Sequence, residues 1–150
     1  MSAPPLVLII EDNESDVLLF ERAVTSLARP FAFRSAFDGV DAIRQLSETD
    51  PIPSLILLDL KLPRKSGLEV LEWRNGSARA REIPTVVLTS SSEAGDIRSA
   101  FRLGVRAYVV KPVGFERLRA LVGAVAGYLD NPKGGPEASL RGFLTPRPSL

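Results

Sequence analysis

The sequence predicts an α/β domain in which a doubly wound, five-stranded parallel sheet of strand order 2-1-3-4-5 lies between two layers of helices. Two observations lead to this three-layer α/β/α class. Five short aliphatic runs of strand length alternate along the chain with segments whose apolar residues recur at helical spacing. The runs are apolar throughout, as expected of parallel strands that are covered on both faces. Because crossovers between parallel strands are right-handed and helical, this order of elements leaves few other arrangements.

The elements follow one another as five strand–helix units. The strands are predicted at residues 6–10, 31–37, 55–58, 85–88 and 107–110. Pro30 interrupts the first helical pattern, Gly104 closes the fourth helix, and the serines at 90–92 are predicted to cap that helix. The five helices are predicted from inward faces made of Val17, Phe20, Val24 and Leu27; of Val40, Ile43 and Leu46; of Leu68, Val70, Leu71 and Trp73; of Ile97, Ala100 and Phe101; and, from about Phe115, of Leu118, Leu121, Val122, Val125 and Leu129.

One folded domain is predicted at residues 6–129, between an N-terminal extension at 1–5 and a tail at 130–150. A chain of 150 residues is the size of a single domain with a sizeable core. The tail is rich in Pro and Gly, a composition that predicts either a disordered segment or an arm used in dimerisation.

The composition excludes several classes of function. The chain has no Cys and no His, so it has no disulfide, thiolate metal site, Ser-His-Asp site or phosphohistidine of its own. A net charge of +1 does not favour nucleic-acid binding. No apolar run approaches the ~20 residues that span a bilayer, and no targeting segment begins the chain, so we expect a cytoplasmic protein without a membrane partner.

Polar residues follow four of the five predicted strands at the point where each strand ends. Glu11 and Asp12 follow the first strand, Asp59 the third, Thr89 ends the fourth and Lys111 follows the fifth. In an open parallel sheet, the functional site lies at the carboxyl ends of the strands, near the switch point between strands one and three. We therefore expect these residues to meet at one edge of the sheet.

Such a cluster favours phosphoryl transfer to Asp59. Three neighbouring carboxylates repel one another, and a hard divalent cation such as Mg²⁺ would relieve the repulsion. Lys111 and the hydroxyl of Thr89 can contact phosphoryl oxygens. Taken singly, each residue has a simpler explanation: a helix cap, a turn aspartate or a solvated lysine. Their joint occurrence at the correct strand ends is what supports a site.

Four stretches resemble the bacterial response-regulator receiver domains, whose fold is flavodoxin-like. They are residues 10–16 (IEDNESD), 57–64 (LLDLKLPR), 87–91 (VLTSS) and 111–113 (KPV), and the resemblance covers about residues 6–129. Within that family, the chain looks most like the single-domain regulators that serve phytochrome-type histidine kinases. Two positions depart from the family pattern: Ser66 stands where an acidic residue is common, and Gly114 where a polar residue is frequent.

The resemblance implies a role for each residue at the predicted edge. It makes Asp59 the phosphoacceptor and makes Lys111–Pro112 a cis peptide. The other implied roles are Asp12 as a direct Mg²⁺ ligand, Glu11 as a ligand directly or through water, Lys61 as a ligand through its backbone carbonyl, Thr89 as the switch hydroxyl, Tyr108 as the aromatic coupled to it, and Lys111 as the cation that binds the phosphoryl group.

The function implied by the resemblance is that of a single-domain two-component response regulator. It would accept a phosphoryl group from a partner histidine kinase, which the subfamily resemblance suggests is a bacteriophytochrome, and would signal by protein–protein contacts. It would catalyse its own phosphorylation and dephosphorylation but would act as a signalling protein, not an enzyme. The subfamily also suggests a homodimer formed through strands four and five and the helices that follow them.

The alternative is a pseudo-receiver, an interaction module that works without phosphorylation. Pseudo-receivers usually lose the acceptor or the acidic pair, and both are intact here. A flavin carrier would need a loop rich in Gly, Ser and Thr after the first strand, where this chain is acidic. A dehalogenase-type enzyme would need a second acid at the position of Lys61. A DNA-binding regulator would need an output domain, and the tail is too short for one.

Overall fold

A computed structural model describes residues 4–149 and contains one five-stranded parallel sheet. The strand order is β2-β1-β3-β4-β5, so the predicted doubly wound order is confirmed. Most of the N-terminal extension lies outside the described residues, and Pro4 and Pro5 are exposed. The strands are β1 (Leu6–Ile10), β2 (Ala32–Ala36), β3 (Leu55–Leu58), β4 (Thr85–Thr89) and β5 (Ala107–Val110).

Helices cover both faces of this sheet. The buried side chains of α1 and α5 pack on one face, and those of α2, α3 and α4 pack on the other. The two apolar layers explain why β1 and β3 are aliphatic throughout and why β4 is aliphatic between its terminal threonines, because both faces of these strands are buried. The helices are α1 (Glu14–Thr25), α2 (Gly39–Glu48), α3 (Gly67–Asn75), α4 (Ala94–Arg102), α5 (Phe115–Asp130) and α6 (Gly135–Ser139).

Two local predictions about the helices differ from the structure. In α2, Val40 is exposed and the buried face includes Gln45. The Gln45 side-chain amide donates to the carbonyl of Ser35 at 2.9 Å, and an apolar pattern cannot reveal such a partner. In α4, the N-cap is Glu93, whose side chain makes no cap. Ser91 lies two residues before it, where its hydroxyl donates to Asp96 and accepts from the amide of Glu93 at 3.3 Å.

The Lys111–Pro112 peptide is not cis, and this expectation is wrong. The cis peptide bond found among residues 4–149 is Asp50–Pro51. The two isomers of a bond before proline differ by only about 0.5–1 kcal/mol, so the surrounding packing decides between them. A family resemblance does not specify the contacts that surround this peptide bond in a particular chain.

The C-terminal tail is folded, which corrects the prediction of disorder for its described part. After α5 the chain reverses at Gly134 and Gly135, whose φ angles of 86° and 76° favour glycine. It then forms α6 and a single 3₁₀ turn at Arg141–Phe143. Leu140, only 1% exposed, enters the core layer of α1 and α5. One buried leucine and two glycines thus anchor a segment whose overall composition is that of a flexible tail.

The helices in the described part of the chain are also too short or too polar to cross a membrane.

Candidate functional site at the carboxyl edge of the sheet

Three carboxylates meet at the carboxyl edge of the sheet, as the sequence predicts. One oxygen from each of Glu11, Asp12 and Asp59 lies within 4.8 Å of the others. Glu11 and Asp59 are buried, whereas Asp12 is exposed. Ile10 pairs with Leu58 in the sheet, and the amide of Asp59 donates to the carbonyl of Ile10 at 3.0 Å. The parallel register of β1 and β3 therefore brings the acidic pair beside Asp59.

Both carboxylate oxygens of Asp59 accept hydrogen bonds. The hydroxyl of Thr89 donates to Oδ1 at 2.7 Å, and the backbone amide of Lys61 donates to the same oxygen at 3.2 Å. The ammonium group of Lys111 lies 3.2 Å from Oδ2. The predicted acceptor, hydroxyl and cation are therefore in direct contact. The backbone of Lys61 lies beside Asp59, and the role of its carbonyl as a metal ligand stays a prediction.

Lys111 contacts two further carboxylates. Its Nζ atom lies 2.6 Å from Oε1 of Glu11 and 2.8 Å from Oδ2 of Asp16. Burial alone would lower the pKa of Lys111, but the hydrogen bonds to Asp16 and Glu11 and the charge of Asp59 raise it above its ordinary value. The lysine is therefore a cation at neutral pH, and it is shared among three carboxyl groups.

Asp16 is the site residue that the sequence reasoning missed. It lies in the first turn of α1, where a carboxylate is already explained by the helix dipole. Its position one turn after the acidic pair was the available signal, because residues three and four apart on a helix share a face. Only the docking of α1 against the end of β5 shows that its partner is Lys111.

The donor set fits a hard divalent cation. Burial raises the pKa of Glu11 to about 7, and the charge of Asp59 adds to the increase. Hydrogen bonds from Lys111 and from the Asn13 amide act in the opposite direction. Oxygen ligands from carboxylates are those that Mg²⁺ prefers. Glu11, Asp12 and Asp59 could hold such an ion, and its charge would relieve the repulsion among them.

Tyr108 lies behind this site and is completely buried. Its hydroxyl donates to the carbonyl of Ser91 at 2.8 Å, two residues beyond Thr89. Burial raises the pKa of Tyr108, so its hydroxyl keeps its proton at neutral pH. The predicted switch pair is thus connected through one short loop, and the switching itself stays a prediction.

Gly67 contributes to the site through close packing. A Cβ atom added there would lie 2.4 Å from the carbonyl oxygen of Asp59 and 2.7 Å from Cα of Leu60. The first residue of α3 therefore lies directly against the backbone of Asp59. In the sequence, this glycine is explained as loop punctuation, and its role in placing Asp59 is visible only in three dimensions.

The fold and the cluster around Asp59 together define a receiver domain, and comparison with known proteins supports this class. The chain belongs to the response regulator receiver domain family, whose model matches residues 7–123. The resemblance predicted from the four sequence stretches is confirmed.

Two curated relatives are similar over most of their length. The probable methanogenesis regulatory protein FilR2 of Methanothrix harundinacea is 36% identical over 129 residues, covering 83% of this chain and 83% of the relative. The response regulator Rcp1 of Synechocystis is 31% identical over 130 residues, covering 83% of this chain and 88% of Rcp1.

Solved structures show the same relationship. The phosphorylated cyanobacterial phytochrome response regulator RcpA has a TM-score of 0.79 at 30% identity, covering 87% of this chain and 96% of RcpA. The Mn²⁺-bound form of Rcp1 has a TM-score of 0.77 at 31% identity, covering 85% and 96%. The bacteriophytochrome response regulator AtBRR has a TM-score of 0.64 at 39% identity, covering 77% and 88%. The chain is therefore a receiver domain related to phytochrome response regulators.

Proposed function

We propose that this protein is a single-domain response regulator that accepts a phosphoryl group on Asp59, with Mg²⁺ as its cofactor. One observation carries the proposal. The buried Asp59 carboxylate accepts a hydrogen bond from the Thr89 hydroxyl on one oxygen and contacts the Lys111 ammonium with the other, beside Glu11 and Asp12. A phosphorylated structure of RcpA and a Mn²⁺-bound structure of Rcp1 support it, since both proteins are related to this chain.

The chemistry is a group transfer from a phosphorylated histidine of another molecule, because this chain contains no histidine. An oxygen of Asp59 attacks the phosphorus atom, and the bond between phosphorus and the donor's ring nitrogen breaks. The imidazole leaves with the electron pair and is neutral once it has its proton. The signal ends when water hydrolyses the acyl phosphate, which releases inorganic phosphate and restores the Asp59 carboxylate.

The residues of this chain position and stabilise the transferred group. Lys111 neutralises charge that develops on the phosphoryl oxygens, and Thr89 donates a hydrogen bond to one of them. Glu11, Asp12, Asp59 and the backbone carbonyl of Lys61 would hold Mg²⁺, which would supply positive charge to the phosphoryl oxygens. The hydroxyl of Thr89 must leave the Asp59 carboxylate to bond the phosphoryl group. Tyr108 then moves with Thr89, because its hydroxyl is bonded to Ser91 in the loop that follows Thr89.

The donor that we propose is a phytochrome-type histidine kinase in the cytoplasm. The relationship to two solved structures supports this class of partner: RcpA is a phytochrome response regulator and AtBRR is a bacteriophytochrome response regulator. Output occurs by protein contacts at the face made of β4, α4, β5 and α5, which is also the face proposed for a homodimer. Phosphorylation adds a charge of about −1.5 to −2 at Asp59, and this charge is what changes that face.

The test is transfer of phosphate from a small acyl phosphate, followed by intact mass. We expect the wild type with Mg²⁺ to gain one phosphoryl group, and the Asp59→Asn variant to gain none. Asp130→Asn is the matched control, because it removes an exposed carboxylate elsewhere and should leave the gain unchanged. Repeating the assay with EDTA tests the need for the metal. Folded wild type that binds Mg²⁺ but gains no mass would favour the pseudo-receiver.

A further inference from the structure

The C-terminal segment of residues 134–147, here called the strap, crosses the edge of the sheet next to β5. It lies beyond the residues matched by the family model, which end at 123. Its first anchor is apolar: Leu140, only 1% exposed, belongs to the same core cluster as Val109 of β5 and Leu121 and Val125 of α5, and lines a small cavity with them. The strap is therefore part of the hydrophobic core and not a surface appendage.

Polar and aromatic contacts hold the strap along its length. Arg106, just before β5, makes two hydrogen bonds to the carboxylate of Glu137, at 2.9 and 3.0 Å. Arg117 in the first turn of α5 donates to the carbonyl of Gly142 at 2.7 Å and lies 4.1 Å from the ring centre of Phe143. These contacts fix the strap to the residue before β5 and to the first turn of α5.

The last contacts reach the edge strand and α4. The amide of Thr145 donates to the carbonyl of Tyr108 in β5 at 2.8 Å. The guanidinium of Arg147 lies 5.3 Å from the ring centre of Phe101 in α4. An edge strand presents unpaired amides and carbonyls that invite pairing with another chain. The strap therefore occupies the part of the β5 edge through which another protein segment could add.

Tyr108 connects this contact to the phosphorylation site. Its backbone carbonyl accepts from the strap, while its hydroxyl donates to the carbonyl of Ser91. Ser91 lies two residues after Thr89, whose hydroxyl is bonded to the unphosphorylated Asp59. A contiguous set of contacts thus runs from Asp59 to Thr145, and the strap fits the arrangement in which Thr89 is bonded to the free carboxylate.

We infer that the strap is an intramolecular occupant of the face made by α4, β5 and α5, and that phosphorylation of Asp59 releases it. This inference rests on the proposed function. A partner that replaces the strap needs the same chemistry: an extended segment with an apolar anchor, an acidic side chain for Arg106 and a backbone amide for β5. Since coupling between two sites is reciprocal, weakening the strap should in turn favour the phosphorylated state.

The chain contains no cysteine, so a single engineered thiol can report release of the strap. In Leu140→Cys, the rate of labelling by a maleimide measures exposure of the buried position. We expect labelling to become at least about five-fold faster after phosphorylation, the lower end of common coupling energies. Val122→Cys is the matched control, because Val122 is equally buried in the same core layer but lies outside the strap. Its rate should not change.

Intact mass measured on the same samples separates the two proposals. A sample that gains no phosphoryl mass overturns the proposed function, and the inference with it. A sample that gains the mass while Cys labelling at 140 keeps its rate overturns the inference alone. Labelling that depends on protein concentration would also overturn it, because the strap would then be exchanged between copies.

A second measurement does not depend on a core substitution. In the wild type, hydrogen exchange of peptides that cover residues 140–149 should accelerate on phosphorylation, while exchange of α1 stays unchanged. Glu137→Gln, which removes the ion pair with Arg106, should accelerate the same peptides without phosphate. Equal protection of the strap in the phosphorylated and unphosphorylated wild type would refute release.

Discussion

Replacing Lys111 by methionine removes an ammonium group that contacts three carboxylates and leaves a side chain of similar length. Without a metal ion, Glu11 and Asp59 would lose this partner while both stay buried. Asp16 is 40% exposed at its side chain, so water can replace its contact at little cost. The magnitude of the effect therefore comes from the two buried carboxylates.

Removing one partner of a buried ion pair typically costs about 3–5 kcal/mol, because the remaining charge is left uncompensated. We expect the free energy of unfolding in EDTA to fall by about 3 kcal/mol, at the lower end of this range because the cleft above Asp59 is open to water. The assay is urea unfolding, with the midpoint and slope compared to the wild type. Lys133→Met is the matched control: Lys133 is exposed, and its replacement should change stability by less than about 0.5 kcal/mol.

Mg²⁺ supplies the decisive comparison. A ligand stabilises the folded state according to its free concentration and its affinity. In the variant no ammonium competes for Glu11 and Asp59, so Mg²⁺ should bind more tightly and restore more stability than it adds to the wild type. Unchanged stability in EDTA would show that the three contacts contribute nothing. Equal stabilisation of both proteins by Mg²⁺ would show that the lysine and the ion do not share these carboxylates.

Three further substitutions test the packing around Asp59 and the strap. Gly67→Ala should displace the backbone of Asp59 and slow phosphoryl incorporation about ten-fold or more, measured by mass. Gly123→Ala should not slow it, because beyond the neighbouring residues and the backbone of its own helix no atom lies within 4 Å of the added group. Thr89→Ala should lower the free energy of unfolding by about 1.5–3 kcal/mol because a buried hydrogen bond to a carboxylate is lost, and Thr89→Ser should recover most of it in the same urea assay. Leu140→Ala should cost about 2–5 kcal/mol if the strap belongs to the core, and a loss below about 1 kcal/mol would contradict that packing.

Much of the fold could be predicted from the sequence because a parallel sheet combines two independent regularities. Aliphatic runs mark strands buried on both faces, and right-handed crossovers then restrict their order. The same geometry places the carboxyl ends of all strands at one edge, so Asp59, Thr89 and Lys111 could be expected to meet before any distance was known. The structure brings them into hydrogen-bond contact.

Residues whose role depends on another element could not be assigned in this way. Asp16 and Lys111 are 95 residues apart, and their contact follows from how α1 docks beside β5. Gly67 looks like an ordinary loop glycine until the carbonyl of Asp59 is found where its side chain would be. Local patterns carry no information on such contacts, because each partner has a sufficient explanation within its own segment.

The sequence by itself determined the fold class, the family and, apart from Asp16, the polar side chains gathered around Asp59. The tertiary structure decided the trans Lys111–Pro112 bond and the folding of the Pro/Gly-rich tail into a strap. The physical reason is the size of the local preferences. The isomers of a bond before proline differ by only about 0.5–1 kcal/mol. Burial of one side chain such as Leu140 contributes about 1.5–3 kcal/mol, so contacts formed only in the folded molecule outweigh what composition favours.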